Sequence, residues 1–194
     1  MKSFLGAVLG IVLVGCCLEN SSTDNRPFDV SVAERTLDVD IRLSASTGNS
    51  QVWNYDRGRD HESFYGRNGI VSAPLIMGDS VVEVRVDRNK MVIYDSEAKR
   101  TLATHTAGWS SILQCVGVVS VQGKSYLLVI KGVATYKNYS RIHVFNDEFK
   151  CCYETNIEGR TWQIEDIGCN GDVPFVGIKN ACSERILRID FTSK

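Results

Sequence analysis

Residues 123–129 (GKSYLLV) place a turn-forming glycine directly before a short apolar run, and the same arrangement occurs twice more in the chain. Residues 78–84 (GDSVVEV) precede this stretch and residues 171–177 (GDVPFVG) follow it, so the three glycines are 45 and 48 residues apart. Glycine readily adopts the left-handed backbone conformation of tight turns, and Val, Ile and Tyr favour strands. The three stretches therefore predict three regularly spaced hairpins.

A second marker repeats at a similar spacing. It is an aromatic or aliphatic residue followed by Asp or Asn, which closes an apolar run with a turn former. The copies are Tyr55-Asp56, Tyr94-Asp95, Phe145-Asn146 and Ile189-Asp190, and Trp109 and Trp162 mark a third phase 53 residues apart. A repeat of about 45 residues with four short strands is typical of a β-propeller blade. The sequence predicts an all-β fold, a small or partial β-propeller of about four blades, with a β-sandwich or meander as the alternative.

Ten runs rich in Val, Ile and Tyr are predicted to be strands. They are residues 37–43, 70–77, 80–86, 91–94, 113–121, 125–130, 141–145, 151–155, 173–178 and 185–191. Residues 30–37 are the best helical candidate, but this run is short and equally compatible with a strand. The last blade lacks an outer strand, which residues 28–33 could supply; otherwise an open sheet edge remains for a partner.

Residues 164–178 (IEDIGCNGDVPFVGI) are similar to the FG-GAP, integrin-like repeats of β-propellers, which place an Asp-rich turn before a strand. The resemblance implies a calcium site, for which this chain offers Asp166, Asn170 and Asp172. The other two glycine turns read Gly78-Asp79 and Gly123-Lys124 and lack such a set. Apart from this candidate calcium ion, the sequence predicts no cofactor.

The N-terminus resembles that of bacterial lipoproteins. Lys2 is followed by the uncharged apolar run 4–15, which is too short to span a bilayer, and Leu13-Val14-Gly15-Cys16 matches the lipobox. The resemblance implies that residues 1–15 are a signal peptide, that Cys16 carries acyl chains such as palmitate, and that the protein attaches to a membrane. Residues 16–27 then form the lipidated cysteine and a polar tether, and residues 28–194 form the β domain. An ordinary secretory signal and a secreted protein are the alternative.

Location within the envelope follows from the residues after Cys16. Cys17 and Leu18 provide no acidic signal of the kind that resembles inner-membrane retention, so the outer membrane is favoured over the inner one.

The formal net charge of −1, with both signs interspersed, argues against a nucleic-acid partner. Seven cysteines suit an oxidising compartment, and the six that remain after lipidation predict disulfides of undetermined connectivity. Cys151 and Cys152 are expected to face opposite sides of a strand.

Catalytic signatures are scarce. The three histidines, His61, His105 and His143, have no second ligand type at a metal-binding spacing and are interpreted as ordinary strand or turn residues. No Gly-x-Ser-x-Gly elbow, phosphate-binding glycine loop or Cys-x-x-Cys pair is present. These observations favour a non-enzymatic function, with an enzyme as the alternative.

The best candidate binding surface is a charged loop between aromatic residues, a combination that protein and glycan ligands often use. It comprises Trp53, Tyr55, Arg57, Arg59, Asp60 and Glu62. The sequence therefore predicts a membrane-anchored cell-envelope lipoprotein that acts as a non-catalytic binding or interaction module for an envelope protein or glycan. The alternatives are a carbohydrate-active enzyme or lectin-like binder on the same scaffold, using this loop, and a structural subunit of an envelope complex.

Overall fold

The architecture is described from a computed structural model, which covers residues 28–34, 52–56, 69–87, 90–106, 111–133, 138–183 and 185–193. Within these ranges the chain forms fourteen strands and no helix, so the all-β prediction is confirmed. None of the described residues belongs to a helix that could cross a membrane. The strands are β1 (Phe28–Glu34), β2 (Val52–Asn54), β3 (Ile70–Val71), β4 (Leu75–Met77), β5 (Ser80–Asp87), β6 (Lys90–Asp95), β7 (Arg100–Thr106), β8 (Ser111–Val121), β9 (Lys124–Val133), β10 (Tyr139–Phe145), β11 (Cys151–Glu158), β12 (Trp162–Asn170), β13 (Val173–Asn180) and β14 (Ile186–Ser193).

The strands form three antiparallel sheets that are built mainly from consecutive strands. The first sheet has the order β3-β5-β6-β7, and β4 also pairs with β5. The middle sheet has the order β11-β10-β9-β8-β2, and the last sheet has the order β1-β14-β13-β12. None of the three sheets closes on itself, so the predicted four-bladed propeller is not confirmed, whereas a sandwich or meander of sheets fits.

The three glycines of the sequence repeat each occupy a tight turn between two paired strands. Gly78, Gly123 and Gly171 have φ values of 60°, 76° and 60°, in the left-handed region that glycine adopts without strain. These turns connect β4 to β5, β8 to β9 and β12 to β13. The predicted hairpins are therefore present at all three positions.

The N-terminal strand completes the last sheet. β1 pairs with β14 in antiparallel register from Phe28↔Ser193 to Glu34↔Leu187. The buried Phe28 ring makes edge contacts with Tyr126 of the middle sheet and Phe191 of β14, at centroid distances of 4.6 and 5.5 Å. Residues 28–33 thus supply the outer strand of the last sheet, as predicted. The run 30–37 was compatible with a helix or a strand, and its described part, residues 30–34, belongs to β1.

The middle sheet is buried on both faces. Residues 127–130 read LLVI without a polar interruption, as is typical of a strand covered on both sides. Leu128 and Ile130 pack in the core shared with the last sheet, while Leu127 and Val129 pack in the core shared with the first. Each fully buried aliphatic side chain of this kind stabilises the fold by about 1.5–3 kcal/mol. Alternation along β9 therefore binds the three sheets into a stack.

Some local features differ from the sequence prediction. β7 and β12 were not predicted because their polar residues, such as Thr104 and Asp166, hide the alternating pattern. The predicted strand 70–77 is divided at residues 72–74, where Pro74 has no N–H to donate to a neighbouring strand. The predicted strand 37–43 lies outside the described residues.

No disulfide joins any two of the five cysteines that the structure describes, so the disulfides suggested by the cysteine number are not found among these five. Cys115 and Cys152 touch the same core, but β8 and β11 are separated by two strands, or about 14 Å. Cys151 packs against the opposite core, which confirms the predicted divergence of the adjacent pair. Cys169 and Cys182 lie towards opposite ends of the β12–β13 hairpin. Cys16 and Cys17 lie outside the described residues.

Candidate metal centre

Of the candidate binding surface predicted from the sequence, the structure describes only Trp53 and Tyr55. Trp53 is 5% exposed and packs with Tyr55 in the core between the first and middle sheets. Its position in β2, paired with Val116, directs the ring into the molecule, so Trp53 supports the fold and is not part of an exposed binding surface. Arg57, Arg59, Asp60, Glu62 and His61 lie outside the described residues, and their predicted role stays a prediction.

The candidate calcium ligands do not converge. Asp166 lies opposite Gly177 in the β12–β13 pair, where a Cβ in place of the glycine hydrogen would overlap with its carboxylate. Asn170 and Asp172 are exposed beside the Gly171 turn, four or more residues further along the chain, or about 13 Å of strand. Calcium needs six to eight oxygen ligands around one point. The structure does not bring these three residues together for that purpose.

A different group of potential ligands lies between the middle and first sheets. Four donor atoms, one from each residue, lie within 4.8 Å of one another. The His-Cys-Glu cluster consists of His105 on β7, His143 on β10, and Cys151 and Glu154 on β11. It therefore joins two sheets and three strands.

Strand register explains how three of these residues share a face. His143 and Glu154 are directly paired across β10 and β11, so their side chains project from the same side of the sheet. Cys151 is three residues from Glu154 and would point the other way in a regular strand. A bulge shifts the register between Val144 and Phe145, so that Phe145 pairs with Cys151. The bulge re-aims Cys151 towards Glu154.

Three distances within the cluster approach those between the ligands of a four-coordinate metal ion, and all four donor atoms lie within 4.8 Å of one another. Glu154 Oε2 lies 3.4 Å from His105 Nε2 and 3.4 Å from His143 Nδ1, and Cys151 Sγ lies 3.9 Å from His143 Nδ1. Tetrahedral bonds of about 2.0–2.3 Å place neighbouring ligand atoms about 3.3–3.6 Å apart. Small side-chain movements would therefore complete a tetrahedron.

A hydrogen-bond network orients the carboxylate. Arg141 donates from Nη1 to Glu154 Oε1 at 2.8 Å, which leaves Oε2 directed at the histidines. Arg141 is itself held by donation from Nε to Asn156 Oδ1 at 2.8 Å. The hydrogen bond from His143, together with the charge of Arg141, lowers the pKa of Glu154 to about 2. Glu154 is thus an ionised ligand at neutral pH.

The two deeper ligands are neutral in the absence of an ion. Burial lowers the pKa of the fully buried His143 and so favours the neutral imidazole. The proton that Nδ1 donates to Glu154 would have to move to Nε2 before Nδ1 could bind a metal ion. Burial, assisted by the charge of Glu154, raises the pKa of Cys151 to about 11, so the thiol is protonated. Metal binding would displace that proton, whereas a nucleophilic cysteine would require a lowered pKa.

The cluster is closed on one side and accessible on the other. Phe145 stacks near the His143 ring at 6.1 Å and contacts the His105 ring at 5.9 Å, forming an apolar wall. His143 Nε2 is buried and has no hydrogen-bond partner among the described residues. The side chains of His105 and Glu154 are 31% and 36% exposed. An ion could therefore enter from the side of these two residues.

The interpretation of His105 and His143 as ordinary strand residues was incomplete. It relied on spacing along the chain, whereas His105 comes from another sheet and Cys151 reaches the cluster only through the bulge. The one sequence signal was the hairpin between residues 143 and 154, whose pairing could have placed His143 beside Glu154. The register of that hairpin could not be deduced from the sequence, because the bulge shifts the pairing between its two strands.

A scan against protein-family models finds no match to this chain, and a search of curated proteins finds no significant similarity.

Proposed function

We propose that this chain is a lipid-anchored, non-catalytic binding module of the bacterial cell envelope, and that its ligand is a transition-metal ion. The observation that carries the proposal is the convergence of two imidazoles, a thiol and a carboxylate at distances near those of a tetrahedral site. These donor types together suit soft and borderline transition metals. The binding centre is the His-Cys-Glu cluster, in place of the calcium ion suggested by the sequence.

The donor set favours binding over catalysis. Catalytic zinc sites have three protein ligands and leave a fourth position for water or substrate, whereas four protein ligands fill a tetrahedron. Calcium is disfavoured because the cluster offers a single carboxylate and no other side-chain oxygen. An ion in this site would also link β7 to β10 and β11, and so bind the first sheet to the middle one.

The anchor is proposed from the lipobox at Leu13-Val14-Gly15-Cys16. Cleavage before Cys16 would leave residues 16–27 as a tether that leads directly to Phe28, the first residue of β1. Because β1 forms the outer strand of the last sheet, the tether would meet the domain at its periphery. The outer membrane is the favoured location.

The architecture is proposed to be a small β-propeller in which the three sheets are successive blades. Three features support it: each sheet is largely a meander, a glycine turn recurs at 45 to 48 residues, and the N-terminal strand completes the last sheet. The cores on both sides of the middle sheet are also what neighbouring blades form.

Native mass spectrometry of detergent-extracted protein tests both parts of the proposal. We expect a mass that begins at Cys16 with added acyl chains and one bound metal ion after incubation with zinc or copper. Changing His105 to alanine removes a ligand from a partly exposed strand, and we expect at least about tenfold weaker metal binding. Changing its exposed neighbour Thr104 to alanine is the matched control and should leave binding intact.

Either part can fail separately. A mass without acyl chains that starts at a residue other than Cys16 would refute the anchor. Equal metal occupancy in the wild-type, His105→Ala and Thr104→Ala proteins would refute the metal centre, because the ion would then be bound elsewhere.

A further inference from the structure

The two carboxylate oxygens of Glu154 face different partners. Oε2 lies 3.4 Å from His105 Nε2 and 3.4 Å from His143 Nδ1, on the side of the proposed ligands. Oε1 accepts a hydrogen bond from Arg141 Nη1 at 2.8 Å. A carboxylate can bind a metal ion through one oxygen or through both. In this cluster only one of the two oxygens is directed at the other donor atoms.

Strand register brings Arg141 to this carboxylate. Arg141 is paired with Asn156 across β10 and β11. Two residues further along β10, His143 is paired with Glu154. Residues two apart in a strand project from the same face, so these two pairs share one face of the middle sheet. Arg141 and Glu154 are therefore diagonal neighbours, a separation that a long side chain can bridge.

Asn156 fixes the direction of the guanidinium. Its side-chain oxygen Oδ1 accepts a hydrogen bond from Arg141 Nε at 2.8 Å. The guanidinium is planar and its N–H groups point in fixed directions, so holding Nε also sets the direction of Nη1. The Arg141 side chain is 32% exposed, so this hydrogen bond supplies an anchor that packing does not fully provide.

We propose that Arg141, held by Asn156, is a positioning residue that limits Glu154 to a single coordinating oxygen and so keeps the proposed metal centre four-coordinate. This inference rests on the proposed metal-binding function. Arg141 acts through Glu154 and does not bind the ion: it occupies Oε1, which leaves Oε2 for coordination.

The number of donors then matches a tetrahedral ion. Two imidazole nitrogens, one thiolate sulfur and one carboxylate oxygen make four donor atoms. Coordination through both oxygens of Glu154 would make five, and it would displace the hydrogen bond from Arg141. Four-coordinate geometry suits zinc(II), whereas magnesium(II) and manganese(II) favour six ligands that are mostly oxygen. Arg141 therefore biases the centre towards ions that accept tetrahedral coordination.

The test is to change Arg141 to methionine, which keeps an unbranched side chain but removes the hydrogen-bond donors. Zinc-edge X-ray absorption of the zinc-loaded proteins then counts the atoms around the ion. We expect one sulfur and three nitrogen or oxygen neighbours in the wild-type protein, and one sulfur and four in the variant, because Glu154 is then free to bind through both oxygens. The visible absorption of the cobalt(II)-loaded protein should weaken in parallel, since four-coordinate cobalt(II) absorbs more strongly than five-coordinate cobalt(II).

A second variant separates positioning from charge and remains informative if Arg141→Met does not fold. Asn156 is neutral and exposed, so Asn156→Ala removes the anchor of Arg141 while leaving its charge in place. We expect zinc binding about tenfold weaker, the usual cost of losing a group that orients a metal ligand, with the same weakening of cobalt(II) absorption. Asn156→Asp retains an oxygen acceptor and should retain the wild-type affinity and spectrum.

The neighbouring Thr155 provides the matched control. It projects from the opposite face of β11, so Thr155→Ser should bind and absorb like the wild-type protein. If the wild-type protein binds no zinc, or binds it without a sulfur neighbour, the proposed metal centre itself is wrong. If the wild-type ion has the sulfur neighbour but is already five-coordinate, or if Arg141→Met and Asn156→Ala both keep the wild-type spectra, the positioning role is refuted while the metal centre stands.

Discussion

Changing Cys151 to serine is expected to weaken metal binding at least about 100-fold, because it removes the thiolate ligand while leaving a side chain of similar size. Loss of groups that merely orient metal ligands typically costs 10–100-fold, so loss of the softest ligand should cost no less. The serine hydroxyl remains protonated at neutral pH and is a poor ligand for soft and borderline ions. Competition titration with a chromophoric chelator measures the change.

The adjacent cysteine provides the matched control. Cys152 packs against the core shared with the last sheet and donates to the Val144 carbonyl at 3.3 Å, on the opposite side of the strand from the cluster. Cys152→Ser should therefore bind metal like the wild-type protein. Equal losses in the two variants would indicate a general disturbance of β11, and full binding by Cys151→Ser would contradict the assigned ligand set.

Phe28→Ala is expected to lower the free energy of unfolding by about 3–5 kcal/mol, the usual cost of removing a fully buried phenylalanine ring. The ring fills a space between Tyr126 and Phe191, so its loss leaves a cavity where the last sheet meets the middle one. Urea unfolding of the purified soluble domain, beginning at residue 16 with serine in place of Cys16, measures the effect.

Ser31→Ala, at an exposed position of the same strand, is the control and should change stability by less than about 0.5 kcal/mol. A cost below about 1 kcal/mol for Phe28→Ala would mean that β1 is not an integral part of the domain. The tether would then extend beyond residue 27, contrary to the boundary drawn from the sequence.

The sheet architecture could be anticipated where local chemistry is decisive. Gly78, Gly123 and Gly171 identified three hairpins because their turns require a left-handed backbone. The apolar run 127–130 identified a strand covered on both faces. By contrast, the edge strand β7 carries polar residues that need no burial, so nothing in its composition separates it from a loop. The arrangement of the sheets depends on contacts between them, which no local pattern encodes.

The proposed metal centre could not be predicted because it depends on one contact between sheets and on one local irregularity within a hairpin. His105 reaches the cluster only through packing of the first sheet on the middle one. Cys151 points towards Glu154 only because the bulge near Phe145 changes the alternation of β11. The number of cysteines suggested disulfides, but Cys151 and Cys152 pack on opposite faces of β11. Cys151 therefore faces the cluster, where its thiol is a candidate metal ligand.

X-ray absorption spectroscopy at the zinc edge of the zinc-loaded wild-type protein tests the central claim most directly, because it reports which atoms surround the ion. The proposed centre predicts one sulfur at about 2.3 Å and three nitrogen or oxygen neighbours at about 2.0–2.1 Å, two of them with the scattering pattern of imidazole. A shell of six oxygen or nitrogen atoms without sulfur would place the ion elsewhere and contradict the assignment of His105, His143, Cys151 and Glu154 as its ligands.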